Sequence, residues 1–356
     1  MGQIELKLSI YDFHIRRTNK IVIDEPIGGK KKKKNTYSNE ILFEEFFNEN
    51  FKPTINSESI NKDELFSSFA LKYNQSFNGD FKKNETGTRA FLPLEIKKAS
   101  PRNLVYGMVE GGITGIDRSI KASKKPKATR KTKLSRDDVA TLPFYFLLWM
   151  PFDSNNGILM IQSYTDETIL GVFKQHIIDF FESLNINFSY KAFVPQKYQD
   201  EFYENSKITQ IVYKKGKLNS STRSRFNPIF YDTEDMSFEL KLSKLSLSPL
   251  SFFDNYKMKN GKYIGADLSD LEMNENNAYD TTVFYEDSKK RKAHIKLNKS
   301  VGIYPTIFLD NSLKIENEDY PDFEKIHEFC SGLLKEIQIE INYSPNVIWN
   351  KSLPDY

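Results

Sequence analysis

The sequence predicts an α+β fold built mainly on antiparallel sheet, with a β-hairpin–helix–strand unit near its middle and a helix close to its C-terminus. Three observations carry this. Segments with a period of two outnumber helical ones, and hairpin signals recur along the chain. Phe144–Met150 and Gly157–Gln162 are apolar runs joined by the turn formers Asp153-Ser154-Asn155-Asn156, and a helical stripe follows them. Hydrophobic residues make up 39% and aromatics 14%, with 28 Phe and 19 Tyr, which is material for packed cores rather than a disordered chain.

Taken in order, Ile4, Leu6, Leu8 and Ile10 alternate with Glu5, Lys7 and Ser9 and predict a half-buried strand. A second strand is expected around Ile21–Ile23, before Gly28-Gly29 and the five lysines Lys30–Lys34, which read as a solvated tip. Short helices are expected near Glu40–Phe47 and Lys62–Tyr73, then strands near Phe91–Ile96 and Asn103–Val109. After the hairpin, Thr165 is a candidate cap for a helix over Asp166–Leu184, with Asp166 and Glu167 favourable at its positive end. Its apolar face is Ile169, Leu170, Phe173, Ile177, Phe180, Phe181 and Leu184. Strands near Asn187–Val194 and Ile208–Tyr213 follow, then one through Phe238, Leu240 and Leu242. Strands at Thr282–Tyr285 and Ala293–Leu297 flank the charged turn Glu286–Lys292. A last helix begins near Pro321, a first-turn residue type, and carries the stripe Phe323, Ile326, Cys330, Leu333, Leu334 and Ile337.

At 356 residues the chain suggests two domains. Lys214–Pro228 mixes basic residues with Gly, Asn, Ser and Thr, so the expected division is 1–213, a basic linker 214–228, and 229–356. The single cysteine, Cys330, rules out an internal disulfide and fits a reducing compartment. The first residues lack the apolar core of a signal peptide. The longest apolar run, Leu142–Phe152, is far short of the ~20 residues of a membrane span. A cytoplasmic protein with no membrane partner is expected, and heavy use of Lys, Asn and Ile fits an AT-rich, bacterial source.

Charge distribution gives the functional clue. Formal net charge is only +3, yet Arg118–Arg136 holds nine Lys or Arg and no Asp or Glu: Arg118, Lys121, Lys124, Lys125, Lys127, Arg130, Lys131, Lys133 and Arg136. A second basic group is Lys214, Lys215, Lys217, Arg223 and Arg225. Segments that repel themselves this strongly do not pack into cores, and their natural partner is a polyanion; the plain alternative is a solvated loop. Lysine outnumbers arginine, which favours phosphate contact over base reading. The expectation is therefore a protein that binds nucleic acid, DNA or RNA, without sequence preference. A place in bacterial antiviral defence, or docking of an acidic protein partner, is the wider expectation.

Other chemistry is poorly supported. His14, His176, His294 and His327 lie far apart in sequence without metal-ligand spacing. Cys330 falls on an apolar helical stripe and reads as a buried, inert thiol. No Gly-x-Ser-x-Gly elbow or phosphate loop is present. Gly112-Ile113-Thr114-Gly115 has the glycine spacing of a KH-domain loop but follows a strand, so a tight turn is expected. Asp80 followed by Glu95-Ile96-Lys97 resembles the site of PD-(D/E)xK nucleases. That resemblance implies catalytic roles for Asp80, Glu95 and Lys97 around Mg2+, with the lysine orienting the attacking water. The same Glu-x-Lys spacing recurs at Glu5-Leu6-Lys7 and Glu239-Leu240-Lys241, where alternating charges on a solvated strand face produce it.

Overall fold

The computed structural model describes residues 4–21, 34–52, 61–77, 79–115, 117–120, 132–215, 217–254, 257–259, 262–264, 280–297 and 302–343. The fold is α+β with antiparallel sheets, and seven α-helices stand among the described residues. None of those helices is long and apolar enough to cross a membrane. Residues 1–193 and 308–356 form one compact unit, and residues 194–307 form another.

The first unit contains β1 (Leu6–Ile21), β2 (Lys34–Glu40), α1 (Phe43–Phe51), α2 (Lys62–Gln75), β3 (Lys82–Lys83), β4 (Arg89–Ala99), β5 (Leu104–Ile113), β6 (Arg118–Ile120), β7 (Thr132–Leu134), β8 (Ala140–Trp149), β9 (Asn156–Tyr164), α3 (Leu170–Ser183) and β10 (Ile186–Phe193). The second contains α4 (Gln196–Asn205), β11 (Lys207–Lys215), α5 (Ser220–Phe226), β12 (Phe238–Leu247), α6 (Pro249–Asp254), β13 (Lys257–Lys259), β14 (Lys262–Ile264), β15 (Asp280–Glu286) and β16 (Lys292–Lys296). After β17 (Ile307–Phe308), α7 (Phe323–Glu340) belongs to the first unit.

The main sheet of the first unit runs β10-β1-β9-β8-β5-β4-β3, with β2 and β17 also paired to β1. The expected hairpin is β8–β9, with Trp149 opposite Ile158 and Phe146 opposite Ile161. Beyond that register the two strands separate, and side chains take over. The Gln162 carboxamide accepts the Tyr145 N–H at 3.2 Å, and the Tyr164 hydroxyl donates to the Pro143 carbonyl at 2.6 Å.

Helices cover both faces of this sheet, which is why β8 is buried on both sides. Even-numbered β8 residues face α3, where Phe146 and Phe173 lie 5.0 Å apart. Odd-numbered ones face the C-terminal helix, where the Tyr145 hydroxyl meets His327 Nδ1 at 2.8 Å. Aromatic side chains cement the α3 face. Phe69 of α2 contacts Phe46, Phe47, Phe51, Phe66 and Phe180. Phe173, Ile177 and Phe180 are buried, as the apolar stripe predicts.

The expected helix start needs correcting. Thr165 does not cap α3; its hydroxyl accepts the Glu5 N–H at 3.1 Å and donates to the Glu5 carbonyl. The helix begins at Leu170, whose N–H is accepted by Thr168 Oγ1 at 3.0 Å. Glu167 is instead drawn to Arg89, at 3.0 Å. In α7 the cap is Asp322, whose carboxylate accepts the Lys325 N–H, so Pro321 precedes the helix. The stripe from Ile326 to Ile337 is buried as expected, Cys330 included, and burial pushes its thiol pKa up.

β1 is one strand of 16 residues where two strands were expected. Its buried positions are Leu6, Leu8 and Ile10 on one parity, then Phe13 and Ile15 on the other. The register against β9 is unbroken from Leu6 to His14, so the core contact changes face while the strand continues.

In the second unit the sheet order is β12-β11-β15-β16. One face holds buried Ile208, Ile211, Tyr213, Val283, Tyr285 and Ile295. Phe202 of α4 closes on Tyr285 at 4.8 Å and on Phe253 of α6 at 6.2 Å. The contacts thus divide the chain after residue 193 rather than within 214–228. Lys214 and Lys215 end β11, an inner strand paired to β12 and β15, so a cut there would divide a sheet.

Candidate nucleic-acid interface

The two ends of the basic segment 118–136 pair as a β-ribbon between β5 and β8. β6 and β7 pair antiparallel, with Arg118 opposite Leu134 and Ser119 opposite Lys133, and form a two-stranded sheet of their own. Lys121, Lys124, Lys125, Lys127, Arg130 and Lys131 lie outside the described residues.

The neck of this ribbon is fixed. The Arg136 carbonyl accepts the Gly115 N–H at 2.9 Å and the Thr114 hydroxyl at 3.1 Å. Thr114 is 2% exposed, and its own N–H donates to the Thr88 carbonyl at 3.1 Å. Gly115 has φ +82°, a conformation costly for other residues, and a Cβ there would press on the Gly87 carbonyl. The 84–89 turn is itself braced, with Asn84 Oδ1 accepting the Thr88 and Arg89 N–H groups at 2.9 Å each. The glycine pattern read as a tight turn therefore spans the end of β5 and this neck. Lys133 and Arg136 are exposed. Arg136 lies 3.7 Å from Asp117, an exposed pair with little energetic weight.

A second basic hairpin belongs to the same unit. β1 and β2 pair out to Ile21 opposite Lys34, and of Lys30–Lys34 only Lys34 is described. The registers fix the ends from which these hairpins leave. The β6–β7 ribbon joins the C-terminal end of β5 to the N-terminal end of β8. β1 runs parallel to β8, through β9 between them, and its hairpin leaves at its C-terminal end. The two hairpins depart from opposite ends of the sheet.

The basic group at 214–225 is in the second unit and is partly committed to local structure. Lys214 is exposed at the end of β11. Lys217 pairs with Asp235 at 2.8 Å. Arg223 spends its guanidinium on backbone carbonyls: Leu218 at 2.7 Å, Phe230 at 3.2 Å and Tyr231 at 2.8 Å. Arg225 is exposed in the last turn of α5, and Lys215 is the last residue of β11. The expected linker is in fact a helix, α5, capped by Asn219, whose side chain accepts the Thr222 N–H at 2.8 Å.

Of the nuclease-like residues, the structure brings Glu95 and Lys97 together, and among the described residues no ion pair joins Asp80 to Lys97. Glu95 and Lys97 lie on the α7 face of β4, 3.4 Å apart. Lys97 also lies 3.9 Å from Glu324 and 4.4 Å from the centre of the Phe323 ring. Asp80 follows α2, whose aromatic residues pack with α3 on the other face, and its N–H donates to the Phe77 carbonyl. Among the described residues no three His, Cys, Asp or Glu side chains gather as metal ligands.

Two polar pairs escaped sequence reasoning because their partners are remote in the chain. His327 is stacked on Tyr106 at 3.9 Å, in addition to its bond with Tyr145. His176 Nε2 meets Ser76 Oγ at 3.0 Å and packs on Phe77 at 4.3 Å. Burial pushes both histidines down to about 4, helped by Lys82 beside His176 and by Arg102 and Lys97 beside His327. Neutral histidines held this way lock helices to the sheet. No family model, curated protein or solved structure matches this chain.

Proposed function

We propose that this protein binds nucleic acid through the phosphate backbone, with the β6–β7 ribbon as its main contact and little preference for sequence. One observation carries the reading: nine cations with no intervening anion, in a chain of net charge +3, within a segment whose ends pair as the β6–β7 ribbon and whose neck is anchored by Thr114, Gly115 and Arg136. An anchored neck holds like charges together against their repulsion. A two-stranded ribbon also has the cross-section that a duplex major groove admits. Six of the nine cations are lysines, which act as point charges on phosphate rather than as planar readers of base edges. The 214–225 group contributes less, since the Arg223 guanidinium is engaged within its own unit.

The test is binding against salt. If about six side chains neutralise phosphates, log affinity falls against log salt with a slope of about −5 on duplex DNA and about −4 on a single strand. Changing Lys124, Lys125, Lys127, Arg130 and Lys131 together to Gln is expected to flatten the slope and leave thermal stability unchanged. Binding that survives these five changes unaltered would show that the ribbon is a solvated tether only.

A further inference from the structure

β12 is an outer strand of the second unit's sheet, and among the described residues nothing pairs with its outward edge. Against β11 its register sets Glu239 opposite Lys214, Leu240 opposite Tyr213, Lys241 opposite Val212 and Leu242 opposite Ile211. Phe238, Leu240 and Leu242 therefore share the face on which Ile211 and Tyr213 are buried. That apolar row is covered at β11; along β12, Phe238 is half-buried against Phe226 at 5.9 Å, Leu240 is half-buried, and Leu242 is 39% exposed. Glu239, Lys241 and Ser243 occupy the other face, all exposed. Lys244, at φ +60°, ends the regular run in a bulge.

We propose that β12 pairs with β12 of a second copy of this chain, antiparallel about a two-fold axis at Leu240, so that two four-stranded sheets become one of eight strands. In this register Leu240 faces its own copy, Phe238 faces Leu242, Glu239 faces Lys241 and Ser237 faces Ser243, each pair occurring on both sides of the axis. Apolar residues meet on the core face, and each acid meets a base on the solvent face. Neighbouring symmetric registers fail. Centring on Glu239 sets two carboxylates opposite each other, and centring on Lys241 sets two ammonium groups opposite. Registers shifted by one residue would put leucine against charge. The chosen register forms about six to eight backbone hydrogen bonds before the bulge stops it. The palindromic order of charge and leucine favours a second copy over an unrelated strand, and a two-fold contact is the commonest closed assembly.

The experiment is sedimentation velocity on the full chain, with charge swaps on the solvent face. Lys241→Glu changes no cross-strand charge within its own sheet, because Val212 stands opposite. It creates two Glu–Glu contacts across the axis and is expected to weaken self-association about tenfold. Glu239→Lys is expected to do the same through Lys–Lys contacts, and it also sets a lysine opposite Lys214 of its own sheet, so Lys241→Glu is the cleaner single change. Mixing the two single variants restores opposite charges in the heterodimer, and the double variant restores them within one chain, so both are expected to associate like the parent. Recovery on mixing also excludes misfolding as the cause of the loss. A parent chain that stays monomeric at about 100 µM overturns the proposal, because the edge is then covered by the chain itself or kept for another partner. A dimer indifferent to both single changes overturns it too, since it must use another surface.

Discussion

Replacing Phe173 with alanine removes a side chain that is 0% exposed at the centre of the α3–sheet contact. Its ring lies 5.2 Å from Phe91 on β4 and 5.0 Å from Phe146 on β8, so the hole opens between one helix and two strands that cannot close on it together. Burying and then emptying such a site costs about 3–5 kcal/mol. Two aromatic contacts, each about 0.5–1.5 kcal/mol, place the expected loss near the top of that range, about 4–5 kcal/mol. Urea unfolding followed by tryptophan fluorescence reads this directly. Trp149 is buried in β8, and Trp349→Phe in the background leaves it as the sole tryptophan. With a slope of about 3 kcal/mol per molar urea, the midpoint of the first unit should fall by about 1.5 M. Phe173→Leu, which keeps most of the volume, should cost less than about 1.5 kcal/mol. A loss below about 1 kcal/mol for Phe173→Ala would mean that the α3 face does not pack on the sheet as described.

Two further outcomes are expected. His176 and His327 have folded pKa values near 4, below the ordinary 6.5, so the unfolded chain takes up protons that the fold refuses. Their contribution is complete above pH 6.5 and is lost as pH falls toward 4; the melting temperature of the first unit should drop across that window, and less steeply in His176→Gln and His327→Gln. Identical pH slopes in the variants would rule the histidines out as the source. Arg223→Ala removes three hydrogen bonds to backbone carbonyls, of which only the one to Leu218 is part-buried, and should destabilise the second unit by about 0.5–1.5 kcal/mol while leaving the salt dependence of nucleic-acid binding unchanged. A change in salt slope without loss of stability would return Arg223 to the binding surface.

What was legible in the sequence was local. The β8–β9 hairpin, α3 and α7 announce themselves by turn residues and apolar spacing within one stretch of chain, and the turn at Glu286–Lys292 does so by charge. That turn is held by Asp287, whose carboxylate accepts the Lys289 and Arg291 N–H groups. Features set by distant partners were not legible. The start of α3 was misread because Thr165 and Glu167 find partners at Glu5 and Arg89, far away in sequence. The length of β1 was hidden by its change of buried face, which breaks the alternation at Tyr11-Asp12. The unit boundary was misplaced because residues 308–356 return to the first unit, a long-range event without a local signature. Of the candidate interface, charge was visible in the sequence, whereas the ribbon, its neck and the internal duties of Lys217 and Arg223 required the structure.

The departure of the two basic hairpins from opposite ends of one sheet sets a ruler for any ligand that touches both. Followed through β9, the registers set the first β1–β2 pair at Arg16 about thirteen strand residues from the ribbon root at Ala140, which is about 43 Å at 3.3–3.4 Å per residue. A duplex advances 3.4 Å per base pair, so roughly thirteen base pairs are needed before one molecule reaches from root to root. Shorter pieces meet one hairpin at a time and bind as if the other were absent. Under the proposed reading, affinity per molecule should therefore not grow smoothly with length but rise in a step once the ligand outgrows the sheet.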